Sequence, residues 1–450
     1  MKRLPRNCRL RQIPQIIWTN RPDFYAPLTH SLALAKGKGV ATFTRSTTAT
    51  CWCYLENAVS GASQVLQVIP SGIPRFEGAR FIASNNTWSN LLADGSVIPE
   101  ATLKGVMIEV ASTNLVLQSK AFSNGSWVKE ASSISANAVT APDGTLTADR
   151  LIEAATTQEH RAYQYITLSA STAYTVSIFV KASGRTSIFS KVATKNETYG
   201  GVVFNLSTVT ATGQGAGLIA GSAGIIALGG GWYRCSYSVN SGIGSTSTYI
   251  TVQPTIGESI SYTGDGTSGV YIWGAQLEAI SFASSYIPTT TATVTRNADV
   301  LTFPSAGNVI DSSVTVLMEA TPAFNIPSSS TGGYGNNYLL DFGISNGVVA
   351  KNGSGMFSFD GTNTVNTPAW IPLKNTSYKI GSRYGSTGQR NFLNGVAGTN
   401  GSFDGSINSR TNMTIGGYGG GAGYNWGGTI KNLKIYKKAL TDAQIQQQTT

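Results

Sequence analysis

Gly264 to Phe303 read GDGTSGVYIWGAQLEAISFASSYIPTTTATVTRNADVLTF, the point where one β-rich domain ends and the next begins. The first six residues satisfy G-x-G-x-x-G, the spacing of a dinucleotide-binding loop. Such a loop needs a helix after it, so that pyrophosphate can rest on the helix N-terminus. Here the strand-like run Val270 to Trp273 follows instead, and the glycines are read as an inter-strand loop. A Gly-Lys-Ser/Thr element occurs nowhere in the chain, which argues against a nucleoside triphosphate site.

Around this stretch the composition is that of a β protein. The 450 residues suffice for two or three domains. Charged residues are only 12% and apolar residues 41%, while Gly, Ser, Thr and Asn are abundant. That combination fits antiparallel β-sandwiches with uncharged polar faces and glycine-rich turns, and it opposes disorder.

The net charge of +10 is concentrated at one end. Residues 1–40 carry Lys2, Arg3, Arg6, Arg9, Arg11, Arg21, Lys36 and Lys38 against Asp23 alone, a net +7. A basic arm on a near-neutral body predicts docking to an acidic surface, on a neighbouring protein rather than on nucleic acid. Lys2, Arg3, Arg6, Arg9, Arg11 and Arg21 are the expected anchoring residues. Gln12, Pro14 and Gln15 interrupt the apolar residues that follow, so no export signal is read here, and no run is long enough for membrane insertion. The expectation is a soluble protein made in a cytoplasm.

Cys8, Cys51, Cys53 and Cys235 do not form a disulfide framework. Cys51 and Cys53 share one face of a strand, and are expected to be buried small hydrophobes. The chain has two histidines, His30 and His160. Both are expected on solvated loops, which leaves no metal set and no Ser-His-acid triad. A glycosidase needs two carboxylates across a sugar. Asp341, Asp360 and Asp404 are scattered, and are read as turn or surface residues.

Several motifs together resemble a module common in bacteriophage virion structural proteins. The closing signature is Gly274-Ala275-Gln276-Leu277-Glu278, Tyr286-Ile287-Pro288-Thr289, Thr295-Arg296 and Ala298-Asp299. Upstream stand Phe43-Thr44-Arg45, Arg75-Phe76 and Gly105-Val106-Met107-Ile108-Glu109, which resemble the strap preceding the module in those proteins. Ser112-Thr113-Asn114-Leu115 lacks the arginine usual at its first position, and Phe81 to Lys104 is an additional segment, read as a surface loop. Tyr174 to Ala182 and Gly231-Trp232-Tyr233-Arg234-Cys235-Ser236 resemble successive strands of the same carbohydrate-binding-like jelly roll. Trp232 and Trp273 are expected in its core. Past it, Trp426 to Tyr436 followed by Lys438-Ala439-Leu440-Thr441-Asp442 resembles the end of concanavalin-like, laminin-G-like domains, with Thr441 and Gln444 forming a capping box.

The expected organisation is a basic arm over 1–40, a strap over 41–112, a carbohydrate-binding-like sandwich over 113–303 and a laminin-G-like sandwich over 304–450. The resemblance implies a non-enzymatic virion protein without cofactors, anchored to capsid, portal or tail proteins. It would be a tail- or head-associated fibre, with a homotrimer favoured, and a host-surface glycan is a further expected partner. Capsid decoration without adhesion, and a polysaccharide-binding or depolymerase accessory role, are the alternatives. The expected contact site is the glycine-rich loop with Tyr418, Tyr424, Asn425 and Trp426, where aromatic faces stand beside an amide.

Overall fold

A computed structural model describes residues 21–194, 198–242, 248–324, 336–343, 346–351, 355–366, 372–419 and 425–450. The protein is nearly all β, built as two sandwiches of antiparallel sheets, as the composition predicts. Lys2, Arg3, Arg6, Arg9, Arg11 and Cys8 lie outside the described residues, and Arg21 is exposed at their start.

The first sandwich pairs two six-stranded sheets. One runs Val128–Glu130, Arg161–Ile166, Thr248–Thr255, Ser187–Ala193, Thr198–Asn205, Thr210–Gln214. The other runs Ser132–Val139, Ala148–Glu153, Gly269–Glu278, Ala173–Ser183, Trp232–Asn240, Gly224–Gly229. Alternation decides which residues fill the space between them. Tyr174, Val176, Ile178 and Val180 point into this core with Ile188, Ile250 and Val252. Phe179 points the other way, where it packs with Trp273, Trp232 and Tyr286. The pairing of Ala173–Ser183 with Gly269–Glu278 shifts register between Ser177 and Phe179. Gly274 supplies the extra residue at φ +63, and a Cβ there would stand 2.8 Å from the Phe179 ring. That combination of left-handed backbone and close approach leaves room only for glycine.

The terminal sandwich is completed by strands from the far end of the chain. Its larger sheet runs Val396–Ala397, Arg390–Leu393, Tyr378–Tyr384, Val314–Pro322, Gly428–Tyr436, Gly105–Ile108, Arg75–Glu77, with Phe24–Ala26 also on Gly428–Tyr436. Its second sheet begins with Thr42–Thr44 against Val300–Pro304. Phe24–Ala26, within the expected arm, and Thr42–Thr44, Arg75–Glu77 and Gly105–Ile108, within the expected strap, are therefore strands of this sandwich. Phe24 and Ala26 are fully buried in the same core as Phe76, Val106, Ile108, Phe303, Leu433 and Ile435. The physical reason is that Leu433 and Ile435 need partners on a sheet that residues 304–450 alone leave incomplete.

The added segment also departs from expectation. Phe81 to Lys104 is more than a surface loop, because Phe81, Leu92, Ile98 and Leu103 are buried. Arg80–Ile82 pairs with Thr87–Ser89, and Trp88 packs on Phe76 and Phe81 at 5.7 and 4.8 Å between centroids. A second ribbon, Ala49–Cys53 with Val65–Ile69, lays Trp52 and Leu66 over Phe179 and Trp273 on the first sandwich. Cys51 and Cys53 are buried within it as small hydrophobes, and Cys235 sits in the first core.

Candidate functional site

The signature residues converge on the junction between ribbon, jelly roll and terminal sandwich. Arg75 is fully buried and bonds Glu109 at 2.7 Å, Asp299 at 2.5 Å, the Ser285 hydroxyl and the Thr50 carbonyl. Arg45 reaches Asp299 at 3.0 Å and the carbonyls of Thr47 and Pro70. Arg296 donates to the Val110 carbonyl and lies 3.6 Å from Glu109. Burial alone would raise the Glu109 pKa, but Arg296, Arg75 and the Ser285 donors hold it well below the usual carboxylate range. The other signature positions are similarly engaged. Gln276 accepts from the Ile287 amide, Glu278 accepts from Ser112 and Ser284, and Tyr286 pairs its hydroxyl with Ser119. Ser112 thus uses the position of the absent arginine to satisfy a buried carboxylate.

This geometry takes apart the contact site expected from the glycine-rich loop. Trp426 is fully buried in the terminal core, so its ring offers no outward stacking face. Asn425 is also buried, and its amide donates to the carbonyls of Asp299 at 2.7 Å and Glu109 at 3.3 Å. It fastens the terminal sandwich to the junction. Tyr424 lies outside the described residues, and Tyr418 is half-buried against Tyr338 at 5.2 Å between centroids. Asn425 and Trp426 have side chains suited to a sugar contact, but the carbonyls of Glu109 and Asp299 hold Asn425 and the Gly416 carbonyl holds the Trp426 amide, which keeps both inside.

The buried acids and histidine correct further expectations. Asp341 and Asp360 are buried rather than surface residues. Asp360 accepts from the backbone amides of Thr362, Asn363 and Asp404, which makes it a turn cap. His160 is fully buried, with ring nitrogens 2.8 and 3.2 Å from the carbonyl oxygens of Ala131 and Tyr262. Both nitrogens therefore face carbonyl oxygens within the fold, and a neutral ring donates to one of them. Among the described residues, no three His, Cys, Asp or Glu side chains are grouped to hold a metal ion.

An outward aromatic face occurs instead on the first sandwich. Tyr163 and Tyr165 project from Arg161–Ile166, and Tyr249 stands directly opposite Tyr165 on the adjacent strand. The three rings are 5.4 to 5.9 Å apart between centroids. Tyr165 is 57% exposed. The Arg161 guanidinium lies 5.1 Å from the Tyr163 ring centre and pairs with Glu130 at 2.7 Å and Glu159 at 3.0 Å. Lys191 reaches the same Glu159 at 3.5 Å. Thr251, opposite both Tyr163 and Lys191, is buried with a hydroxyl that has no hydrogen-bond partner among the described residues. Rings beside charge-compensated donors and acceptors can stack on a polyol face and bond its hydroxyls. The alternation Arg161, Tyr163, Tyr165 was the available signal, and Tyr249 could be joined to it only through pairing.

No helix among the described residues is long and apolar enough to cross a membrane. Residues 295–446 match the family described as the concanavalin A-like lectin/glucanases superfamily, so the terminal sandwich is a concanavalin A-like, laminin-G-like domain. No curated protein matches the chain in sequence. Among solved structures, the chain is similar to a Ruminococcus gnavus sialidase CBM40 domain bound to α2,3-sialyllactose, at 18% identity over 31% of this chain and 84% of that one, TM-score 0.25. It is also similar to domain 4 of the Geobacillus stearothermophilus arabinanase AbnA in complex with arabinotriose, at 14% identity over 37% and 82%, TM-score 0.26. A third is the mouse laminin α1 chain, domains LG4-5, at 12% identity over 64% and 89%, TM-score 0.21.

Proposed function

We propose that this chain is a non-enzymatic, glycan-binding structural protein of a bacteriophage particle, docked through its basic N-terminal residues and displaying two rigidly joined sandwiches. The observation that carries the glycan reading is the face formed by Tyr163, Tyr165 and Tyr249. Tyr165 is the ring exposed enough to stack on a sugar, while Arg161, Glu159 and Lys191 supply hydrogen-bonding groups around it. Arg161 and Lys191 are matched by Glu130 and Glu159, which favours a neutral saccharide. The concanavalin A-like terminal domain supports the same class of partner. The particle setting is supported by the sequence resemblance of the strap and closing signature. Host-surface attachment follows if many copies act together, because repeated weak sites gain avidity.

The test is binding of the full chain to an array of bacterial surface polysaccharides, with Tyr165→Ala and Tyr418→Ala beside it. Tyr165→Ala is expected to weaken binding about tenfold, the loss of one ring–sugar contact of ~1.4 kcal/mol, and Tyr418→Ala to leave it unchanged. Equal binding by wild type and Tyr165→Ala would remove this face from the function. Absence of the protein from purified particles, probed by antibody, would sink the structural role.

A further inference from the structure

On the larger sheet of the terminal sandwich, register separates two faces. Phe76, Val106, Ile430 and Ala320 stand in one row across four strands and are buried in the core. Met107, Thr429 and Thr321 form the adjacent row, so their side chains belong to the opposite face, and so does that of Glu77, which follows Phe76. These four residues line a chamber of about 270 Å³, walled also by Lys104 and Asn375. We infer that this chamber is a binding site for one neutral polyhydroxylated ring, a free monosaccharide or the terminal unit of a glycan, held by Glu77 and Thr429.

Two groups without partners carry the inference. The Glu77 carboxylate is half-buried, and among the described residues it accepts no hydrogen bond and makes no ion pair. The cations that act on it are engaged elsewhere. Arg75 bonds Glu109 and Asp299, and the Lys104 Nζ donates to the Ala101 carbonyl at 2.9 Å. The Thr429 hydroxyl is buried and has no hydrogen-bond partner among the described residues. Poorly solvated polar groups left unpaired are costly. Neighbouring hydroxyls on one ring would satisfy both, because a carboxylate accepts from two of them and a threonine hydroxyl donates or accepts. Gly105, directly opposite Glu77, adds no side chain to fill the space. On the far wall the Asn375 amide donates to the Pro322 carbonyl at 2.9 Å, which fixes that segment against the strand.

Charge and size narrow the ligand. Glu77 disfavours an anion and Lys104 disfavours a cation, so the site suits a neutral molecule. A cavity of roughly 150 Å³ holds benzene, and drug-sized ligands need about 300 Å³ or more. The chamber lies between these limits, which admits one substituted ring and excludes a disaccharide. Tyr163, Tyr165 and Tyr249 belong to the other sandwich, so this inference does not rest on the glycan reading of that face.

Methyl α-D-glucopyranoside, methyl α-D-galactopyranoside and methyl α-D-mannopyranoside are the probes, titrated into the full chain and read by saturation-transfer NMR and calorimetry. The titration is run at pH 8, where Glu77, pushed up to about 7 by burial and then by the Glu109 charge, is ionised. The expected result is saturable binding of at least one glycoside, retained in Tyr165→Ala and weakened about tenfold in Glu77→Gln and in Thr429→Val. Thr429→Val gives up no internal hydrogen bond, so its unfolding midpoint should match that of the wild type. Binding that either Glu77→Gln or folded Thr429→Val leaves unchanged, or no saturable binding of any of the three, overturns the inference. Binding abolished by Tyr165→Ala would place the sugar on the tyrosine face and overturn it as well.

Discussion

At the scale of single residues, the junction is a set of buried charges whose protonation couples to folding. Arg75 and Asp299 are fully desolvated, and each has more than one partner. Replacing one member of such a set leaves the others buried and unpaired, which costs about 3–5 kcal/mol. Glu109 shows the sign. Its folded pKa lies below the reference value of 4.5, so its stabilisation is fully present above about pH 4.5 and is lost as pH falls below that value. Glu109→Gln should therefore lower stability at pH 7 by ~3 kcal/mol and flatten the acid limb of the stability curve, checked by urea unfolding at pH 7 and pH 4. An acid limb as steep as that of the wild type would show that Glu109 is not the group being titrated. Glu77 acts in the opposite direction, because its raised pKa removes stability as pH climbs through about 7.

At the scale of elements, backbone irregularities decide which face of a strand is buried. In Gly428–Tyr436, Ile430, Leu433 and Ile435 all enter one core, although Ile430 and Leu433 are an odd number apart. The shift comes from a bulge opposite Met318, with Asn432 at φ +54. Its side chain bonds Glu319 at 2.9 Å and Tyr25 at 3.1 Å, and its amide donates to the Pro27 carbonyl. Asn432→Gly keeps the conformation and loses only side-chain bonds, about 1 kcal/mol. Asn432→Val also strains the backbone and should cost about 3 kcal/mol in all. Denaturant midpoints of the two variants check the order, and equal losses would mean that conformation contributes nothing. The terminal helix Asp442–Thr449 is simpler, since Thr441 and Gln444 form the capping box their spacing predicts and Ile445 packs under Tyr436 and Leu440.

At the scale of the whole molecule, the chain closes on itself. Phe24 pairs with Ile435, Thr42 with Thr302 and Val106 with Ile430, while Trp52 and Leu66 cover the jelly roll. Ribbon and ionic junction leave little of either sandwich able to unfold alone. Scanning calorimetry of the full chain should thus give one cooperative transition, with calorimetric and van't Hoff enthalpies equal. Two resolved transitions would show that the junction does not couple the sandwiches.

The residues alone determined the all-β sandwich class, the burial of Trp232, Trp273, Cys51 and Cys53, and the helix cap. Each is a local property, written in period-two alternation or in the chemistry of a turn. Tertiary structure decided that Phe24–Ala26, Thr42–Thr44 and Gly105–Ile108 complete the terminal sandwich, that Asn425 and Trp426 are buried, and that Tyr249 joins Tyr163 and Tyr165. Alternation reports that a strand has a face to bury, but the strand that covers it is chosen by packing and hydrogen bonding between segments that can lie 400 residues apart, as Phe24 and Ile435 do.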